Sequence, residues 1–226
     1  EIGTGWGGFA LHAAGRHGAR VTTTTISAEQ HAHAARRVAA AGLGDRVELL
    51  RRDYRDLEGT HDAVVSIEMI EAVGHAYYDA YFARCAALLR PGGRMGLQAI
   101  VIGDDLYDRA RKEVDFIKRY VFPGSCIPSV KVLTEAAARA GLAVEEVFDL
   151  TPHYAETLRR WGANFRRNRD RVRALGFPES FCRMWEFYFA YCEGAFRARH
   201  VGDVQLVLTK PRCRIAPSGE ATAGRA

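Results

Sequence analysis

The chain has 226 residues, of which 48% are hydrophobic, and a formal net charge of +5. This length suits one domain that can bury a sizeable core. No stretch approaches the roughly 18 consecutive apolar residues that predict a membrane-spanning helix. The five cysteines form no C-x-x-C pair and no regular framework. This predicts free thiols in a reducing cytoplasm and argues against disulfides or a zinc site.

The first eight residues read Glu1-Ile2-Gly3-Thr4-Gly5-Trp6-Gly7-Gly8. An acidic residue followed by Gly-x-Gly-x-Gly is typical of the nucleotide-binding turn of a doubly wound α/β domain. Glycines permit the turn and let a ligand approach the backbone, so Glu1, Gly3, Gly5 and Gly7 are candidate cofactor residues. Such a turn normally follows a buried strand of about five residues. We therefore expect that this sequence lacks most of that first strand and what precedes it.

Strand and helix patterns alternate after this turn. Helical patterns cover 6–15, 28–42 and 77–89; Ser27 is a candidate N-cap of the second, and the run 90–93 predicts a stop after the third. Runs of β-branched and apolar residues predict strands at 20–26, 47–50, 61–67, 95–102, 142–149 and 204–209. Alternating strands and helices indicate a parallel sheet with right-handed crossovers.

Counting the truncated first strand, the sequence predicts a doubly wound, mostly parallel, seven-stranded Rossmann-like sheet. One catalytic domain covers 1–210, with helical insertions at 104–129 and 154–198 on the substrate side. The tail 211–226 is rich in Ala, Gly and Ser, which predicts disorder.

The polar residues after the second and third strands indicate the class of cofactor. Asp53 offers a carboxylate for an adenine amine, and Tyr54 offers an aromatic face. The second strand does not end in the acid with which dinucleotide enzymes grip a ribose diol; Thr25 and Gln30 are the polar groups there. This pattern favours the class I S-adenosylmethionine (SAM) methyltransferase fold over its main alternative, a dinucleotide dehydrogenase.

Positive charge is concentrated in the range 159–173, which holds seven arginines and one acid. A basic surface attracts polyanions, either nucleic acid or anionic lipid headgroups. A solvated helix face explains the same run at least as well. The aromatic residues of 154–198 are expected mainly to pack between helices, with Tyr154, Trp161 and Trp185 as candidates for contact with a cation.

Five motifs together resemble the cyclopropane-fatty-acyl-phospholipid synthase family, which includes the mycolic acid cyclopropane synthases. The resemblance covers roughly residues 1–210. The motifs are Glu1 to Gly8, Thr25 to Gln30, Ser66 to Gly74, Tyr120 to Gly124 with Pro128-Ser129, and Pro152 to Leu158. Trp6 within the Gly-rich turn and the Phe-Pro-Gly block are specific to this family among methyltransferases.

The resemblance implies a SAM site and a reaction. Gly3, Gly5 and Gly7 would lie near the methionine part, Thr25 to Gln30 would hold the ribose, and Asp53 with Tyr54 the adenine. The family adds a methylene bridge across the cis double bond of an unsaturated phospholipid acyl chain, giving a cyclopropane fatty acid. A carbocation forms on the way, and a bound bicarbonate ion removes a proton from the transferred methyl group.

The resemblance also implies the residues of the bicarbonate site. Its glutamate falls on Glu71, its tyrosine on Tyr154, and a backbone contribution on Ile100. The family's histidine falls on Gln98, which can donate a hydrogen bond but cannot carry charge or relay a proton. The family's cysteine lies upstream of the Gly-rich turn and is absent here. Glu68 is expected at the surface or as a helix cap.

Several functions stay open at this point. If the same cation loses a different proton and no ring closes, the product is a methyl- or methylene-branched fatty acid. A non-catalytic SAM- or lipid-binding fragment and a small-molecule methyltransferase are further alternatives. We expect a cytoplasmic protein peripheral to the inner face of the membrane, possible homodimerisation, no nucleic-acid partner and no metal; His75 and His153 are expected to be structural.

Overall fold

The computed structural model of the chain describes residues 1–212. Most of the predicted disordered tail therefore lies outside the described residues. The helices are Gly8–His17 (α1), Ala28–Ala40 (α2), Tyr78–Leu88 (α3), Asp104–Ala110 (α4), Phe116–Tyr120 (α5), Val130–Arg139 (α6), Thr151–Arg167 (α7), Arg169–Ala174 (α8) and Glu179–Arg197 (α9). The strands are Val21–Thr24 (β1), Val47–Leu50 (β2), His61–Ile67 (β3), Leu89–Ile102 (β4), Ala143–Asp149 (β5) and Val201–Thr209 (β6).

The strands form two hydrogen-bonded groups. β1 pairs with β2 in parallel, and the second group has the order β3-β4-β6-β5. Within it β3 and β4 are parallel, whereas β6 runs antiparallel to both β4 and β5. The predicted mostly parallel α/β architecture is confirmed, and among the described strands of the second group only β6 runs in the opposite direction.

Residues 1–3 lie between the two groups and hydrogen-bond to both. Ile2 forms a parallel bridge with Thr24 of β1, and its N–H donates to the carbonyl of Val65 on β3 at 2.8 Å. Six strands and this short segment therefore stand where seven strands were predicted. The Gly-rich turn follows directly from it, as the sequence pattern requires.

The main difference from the predicted boundaries is at the start of β4. The range 90–93, predicted as a turn, belongs to the strand, which shifts its register against β3 between His61 and Ala63. Gly92, with φ of 77°, donates its N–H to the carbonyl of Lys210, and Lys210 donates back to Gly93. These bonds to the residue after β6 hold the Pro-Gly-Gly run as a bulge within the strand.

The helical insertions are less continuous than predicted. Within 104–129 only α4 and α5 are helical, and 154–198 divides at Asn168 as well as near Gly176. α7 and α9 pack through a cluster of Ala155, Leu158, Phe189 and Phe196. No helix among the described residues is long and apolar enough to cross a membrane.

Candidate functional site

The carboxyl ends of the parallel strands lie along one side of the sheet, and the crevice of the fold is the space beyond them. β1, β2, β3 and β4 all run in the same direction as residues 1–3, so their carboxyl ends share that edge. Loops after parallel strands are where ligands of open α/β sheets bind. The predicted positions that lie in the loops after these strands are Gly3, Gly5, Gly7, Thr25, Asp53, Tyr54 and Glu71. The others lie before the turn (Glu1), at the start of α2 (Gln30), on β4 (Gln98 and Ile100) and on α7 (Tyr154).

The Gly-rich turn has the backbone that its glycines predict. Gly3, Gly5 and Gly7 have φ values of 100°, 52° and 83°, a region that other residues enter only with strain. A Cβ on Gly7 would lie 3.2 Å from the Cβ of Ala34 on α2, whereas a Cβ on Gly5 would meet nothing within 4 Å. The turn is therefore packed on the helix side and open on the other, as a cofactor cradle must be.

The polar groups after β1 form hydrogen bonds with each other. The Thr25 hydroxyl donates to Gln30 Oε1 at 2.8 Å, and the Ser27 hydroxyl accepts from the Gln30 N–H at 3.2 Å. Ser27 is therefore the N-cap of α2, as predicted. These bonds fix the Gln30 side chain at the helix start, where its amide group could meet a ribose.

The Asp53 carboxylate already has a partner within its own loop. Arg55 donates to it from Nε at 2.9 Å and from Nη2 at 2.8 Å, which lowers the pKa of Asp53 and keeps it ionised. Tyr54 is half-buried and meets Tyr81 edge-on, 5.4 Å between centroids. Asp53 still has lone pairs for an adenine amine, since each carboxylate oxygen can accept more than one bond.

Glu1 faces a different part of the sheet. Its carboxylate accepts from the Thr23 hydroxyl at 2.6 Å, and burial raises its pKa. The residue lines a cavity of about 560 Å³ between β1 and β3. Contact between Glu1 and a cofactor stays a prediction, as it does for the other cofactor positions.

A second group of residues gathers around the ends of β3 and β4. Glu71 Oε1 accepts from the backbone N–H of Ile100 at 2.6 Å. The other carboxylate oxygen is buried, and no hydrogen-bond partner for it lies among residues 1–212. Burial, and secondarily the charge of Glu68, raise the pKa of Glu71 to about 7. This carboxyl group can therefore hold or release a proton near neutral pH.

Glu68 belongs to the same group, so its predicted place at the surface or as a helix cap was wrong. Its Oε2 accepts from the Tyr154 hydroxyl at 2.6 Å, and its Oε1 accepts from Gln98 Nε2 at 2.9 Å. Its φ is +49°, a left-handed conformation that costs a non-glycine residue about 1–2 kcal/mol. The turn after β3 thus aims this carboxylate across the crevice at α7.

The Gln98 amide is fully engaged. Its Nε2 donates a second bond to Asp203 Oδ2 at 2.9 Å, and its Oε1 accepts from Gln205 at 2.9 Å. Asp203 is completely buried, and its Oδ1 has no partner among the described residues. Burial first, then the charges of Glu68 and Glu71, raise the pKa of Asp203 to about 7.

The four predicted catalytic positions, Glu71, Gln98, Ile100 and Tyr154, are thus brought together. Sequence reasoning missed Glu68 and Asp203. A signal existed for Glu68, which follows the carboxyl end of a buried parallel strand. None existed for Asp203, which reaches the site only because β6 pairs with β4.

The three donors assigned to bicarbonate by resemblance already have acceptors within the chain. Glu71 takes the Ile100 N–H, while Glu68 takes the Tyr154 hydroxyl and one Gln98 N–H. An anion added at this position would face the Glu68 and Glu71 carboxylates, because the three donors already bond to them. The residues present therefore do not fit a bicarbonate ion.

Aromatic side chains form a wall on one side of this site. Tyr154 stacks on Phe196, with 4.7 Å between centroids, and meets Trp161 edge-on at 6.2 Å. Trp185 packs among Tyr188 and Phe189 instead, as expected for helix packing. Of the three aromatic candidates, Tyr154 hydrogen-bonds to the Glu68 carboxylate, and its ring can also face a developing cation.

The arginine-rich range is partly neutralised by nearby acids. Arg159 and Arg160 pair with Glu156, and Arg169 and Arg173 pair with Glu179. The remaining three, Arg166, Arg167 and Arg171, have no carboxylate partner in the described part of the chain. The surface available to a polyanion is therefore smaller than the sequence suggests.

Comparisons with known proteins show the family of the chain and its fold. The family model described as mycolic acid cyclopropane synthetase matches residues 1–206. The chain is 44% identical over 211 residues to tuberculostearic acid methyltransferase UfaA1 of Mycobacterium tuberculosis, covering 93% of this chain and 49% of the relative. It is 36% identical over 211 residues to cyclopropane-fatty-acyl-phospholipid synthase of Escherichia coli K12, covering 93% and 52% respectively.

A solved structure extends the same comparison. Mycolic acid cyclopropane synthase CmaA1 in complex with SAH and CTAB aligns with a TM-score of 0.85 and 28% identity, covering 92% of this chain and 76% of that one. The chain spans about half the length of the two relatives compared by sequence.

Proposed function

The chain belongs to the mycolic acid cyclopropane synthetase family, and from this we propose that it transfers the methyl group of SAM to the cis double bond of an unsaturated phospholipid acyl chain. The observation that supports the proposal is that the Gly-rich turn lies against the loop that carries the carboxylates and faces the tyrosine, since a Cβ on Gly3 would lie 3.2 Å from Met69, the neighbour of Glu68. Such a site offers a base without a metal or a covalent nucleophile. Methylation of an alkene needs no more than that, because the alkene itself is the nucleophile.

Bound SAM would supply an electrophilic methyl group on a sulfonium ion. The residues of this chain have three tasks in the reaction. Gly3 to Gly7 and Asp53 would hold the cofactor, and the ring of Tyr154 would face the cation that forms. The buried carboxylates would stabilise that cation and accept its proton, which electrostatic preorganisation in a water-poor site makes efficient.

Two products are possible from the same cation. Ring closure gives the cyclopropane fatty acid that the resemblance implies. A branched acyl chain is the second candidate, and two observations favour it. The family's histidine is replaced by Gln98, whose amide is committed to three partners. The relative with 44% identity is named for making a tuberculostearic, not a cyclopropane, acid.

The cofactor part of the proposal is tested by titrating SAM into the chain and into Asp53→Ala by calorimetry. We expect at least tenfold weaker binding by the variant, about 1.4 kcal/mol. Asp56→Ala is the matched control, because Asp56 lies in the same 3-10 turn and is exposed; it should bind like the parent. Equal binding by all three proteins would remove Asp53 from the cofactor site.

The product is identified by proton NMR of lipid extracted after reaction. Cyclopropane protons resonate at distinctively high field, whereas a methylene branch gives vinylic protons at low field. A ring signal alone would support the first product. Vinylic signals alone would support branching. Conversion of a methylene to a methyl branch would require a hydride donor, so the enzyme alone should yield the unsaturated branch.

A further inference from the structure

We propose that the Glu68 carboxylate takes the place of bicarbonate and is itself the base that removes a proton from the methylated cation. The inference rests on the proposed function and deepens it, because it names the catalytic group of the same site. It departs from the bicarbonate-dependent chemistry that the family resemblance implies.

The first argument is the set of donors around Glu68. The Tyr154 hydroxyl donates to one carboxylate oxygen at 2.6 Å and Gln98 Nε2 to the other at 2.9 Å. These are two of the groups that the resemblance assigned to the bicarbonate ion. A planar carboxylate and a planar bicarbonate present the same pair of oxygens to such donors. Glu68 therefore fills that position with an anion that is covalently part of the chain.

The second argument is the backbone of Glu68. A φ of +49° is unfavourable for a glutamate, and strain of this kind persists where the surrounding structure enforces it, often at functional sites. The Glu68 N–H donates to the carbonyl of Gln98 at 2.9 Å, which fixes the turn against β4. The strained turn and the two donors thus direct the carboxylate to one position.

The third argument is the surrounding charge. Glu71 and Asp203 lie close enough to Glu68 for its charge to raise the pKa of each. Near neutral pH those two groups can be protonated, while each Glu68 carboxylate oxygen accepts one hydrogen bond, from Tyr154 or from Gln98. Protons next to a carbocation are strongly acidic, so an ionised carboxylate within contact distance is a sufficient base.

The reaction balances with Glu68 in this role. The π electrons of the alkene form a bond to the methyl carbon as the carbon–sulfur bond breaks, leaving its electron pair on the sulfur of S-adenosylhomocysteine. A carbon of the former double bond is then cationic. Glu68 takes a proton, and the electrons of that C–H bond form either the third side of a ring or, after a hydride shift, a carbon–carbon double bond.

The test compares the parent chain with Glu68→Gln, Glu68→Gly and Glu135→Gln, in buffer freed of carbon dioxide and again with added bicarbonate. Glu135→Gln is the control because Glu135 is an exposed residue of α6, away from the site. Two quantities are measured. One is the rate at which the methylated, deprotonated lipid product forms on vesicles of unsaturated phosphatidylglycerol, and the other is binding of ¹³C-bicarbonate by NMR. Circular dichroism verifies that each variant is folded.

We expect the parent and Glu135→Gln to react at the same rate with and without bicarbonate and to bind none of it. Both Glu68 variants should lose activity by roughly 10²- to 10⁴-fold, the usual contribution of a general base. Glu68→Gly also vacates the anion position, so bicarbonate should bind to it and restore at least about tenfold of the lost rate. Glu68→Gln fills the position with an amide and should show neither effect.

Bicarbonate binding by the parent, or loss of its activity when bicarbonate is removed, would overturn the inference. So would full activity of Glu68→Gln. A folded parent that binds SAM but forms no product on any unsaturated lipid would contradict the proposed function. The binding measurement would even then decide whether Glu68 occupies the anion position.

Discussion

Asp203 is the residue whose burial has the largest consequence for pH dependence. It is completely buried, and its pKa is raised to about 7 by burial and by the neighbouring carboxylates. In the unfolded chain an aspartate titrates near 3.9. Between roughly pH 4 and pH 7 the unfolded chain releases this proton while the folded chain retains it, so rising pH destabilises the fold through this group.

Substitution of Asp203 by Asn should remove that dependence. At about 1.4 kcal/mol per pH unit, the variant should gain about 2–4 kcal/mol in free energy of unfolding relative to the parent between pH 4 and pH 7. Urea unfolding at the two pH values measures it. Asp45→Asn, an exposed position, should follow the parent at both. A constant difference between Asp203→Asn and the parent would mean that Asp203 is ionised throughout.

At the residue scale, sequence reasoning located four of the six residues of the candidate site. Glu71, Gln98, Ile100 and Tyr154 came from motifs, and the structure brings them together. Glu68 and Tyr154 are 86 positions apart, and Gln98 and Asp203 are 105 apart. No local pattern encodes hydrogen bonds at such separations. They follow from strand pairing and from the packing of α7 over the crevice, which only the fold provides.

The Gly-rich turn is the element on which the cofactor site depends. Gly7 combines a φ of 83° with a neighbouring Ala34, whose Cβ would lie only 3.2 Å from a Cβ on residue 7. Gly8 begins α1 with ordinary backbone angles and open space around it. The backbone at position 7 therefore requires glycine, whereas the backbone at position 8 accepts other residues, although the sequence shows two adjacent glycines.

Alanine substitutions should separate the two glycines. Gly7→Ala should lower the free energy of unfolding by at least about 1–2 kcal/mol, because it adds a left-handed alanine and a close contact. Gly8→Ala should leave stability unchanged or raise it by about 0.5–1 kcal/mol, because alanine is the better helix former. Thermal and urea unfolding of both variants measure the difference. A loss of equal size in both variants would contradict this account of the turn.

At the element scale, the strands were easier to predict than the helical insertions. The ranges 47–50 and 61–67 were predicted to the residue, because β-branched and apolar runs bounded by turn residues are distinctive. The start of β4 was missed because pairing with β6 overrides a local Pro-Gly-Gly turn signal. Within 104–129, helical composition produced only two short helices, since tertiary contacts decide such polar segments.

At the scale of the whole molecule, the question is which exposed side chains suit contact with a membrane surface. Arg166 and Arg167 at the end of α7 have no acidic partner among the described residues, whereas Arg159 and Arg160 share Glu156. The helical insertions also carry exposed apolar side chains, namely Val114, Tyr120, Phe122 and Phe187. This combination suits a protein that meets an anionic bilayer at its surface, which we propose as the place where acyl chains are reached.

Two charge-reversal variants that change the net charge by the same amount test the proposed contact with the bilayer. Arg166→Glu with Arg167→Glu should weaken binding to phosphatidylglycerol vesicles by at least about tenfold, given about 1 kcal/mol per basic residue near the surface. Arg159→Glu with Arg160→Glu changes the net charge equally but alters arginines already paired with Glu156. It should have the smaller effect in a vesicle sedimentation assay. Unchanged binding in both pairs would remove this surface from the account.

The most direct test of the central claim follows the methyl group itself. The folded chain is incubated with [methyl-¹³C]SAM and vesicles whose acyl chains carry one cis double bond, and in parallel with vesicles of saturated chains of the same length. We predict that ¹³C enters the unsaturated lipid, with one S-adenosylhomocysteine formed per label, and that the saturated lipid stays unlabelled. Label in neither lipid, from a chain that binds SAM and the vesicles, would contradict the proposed reaction.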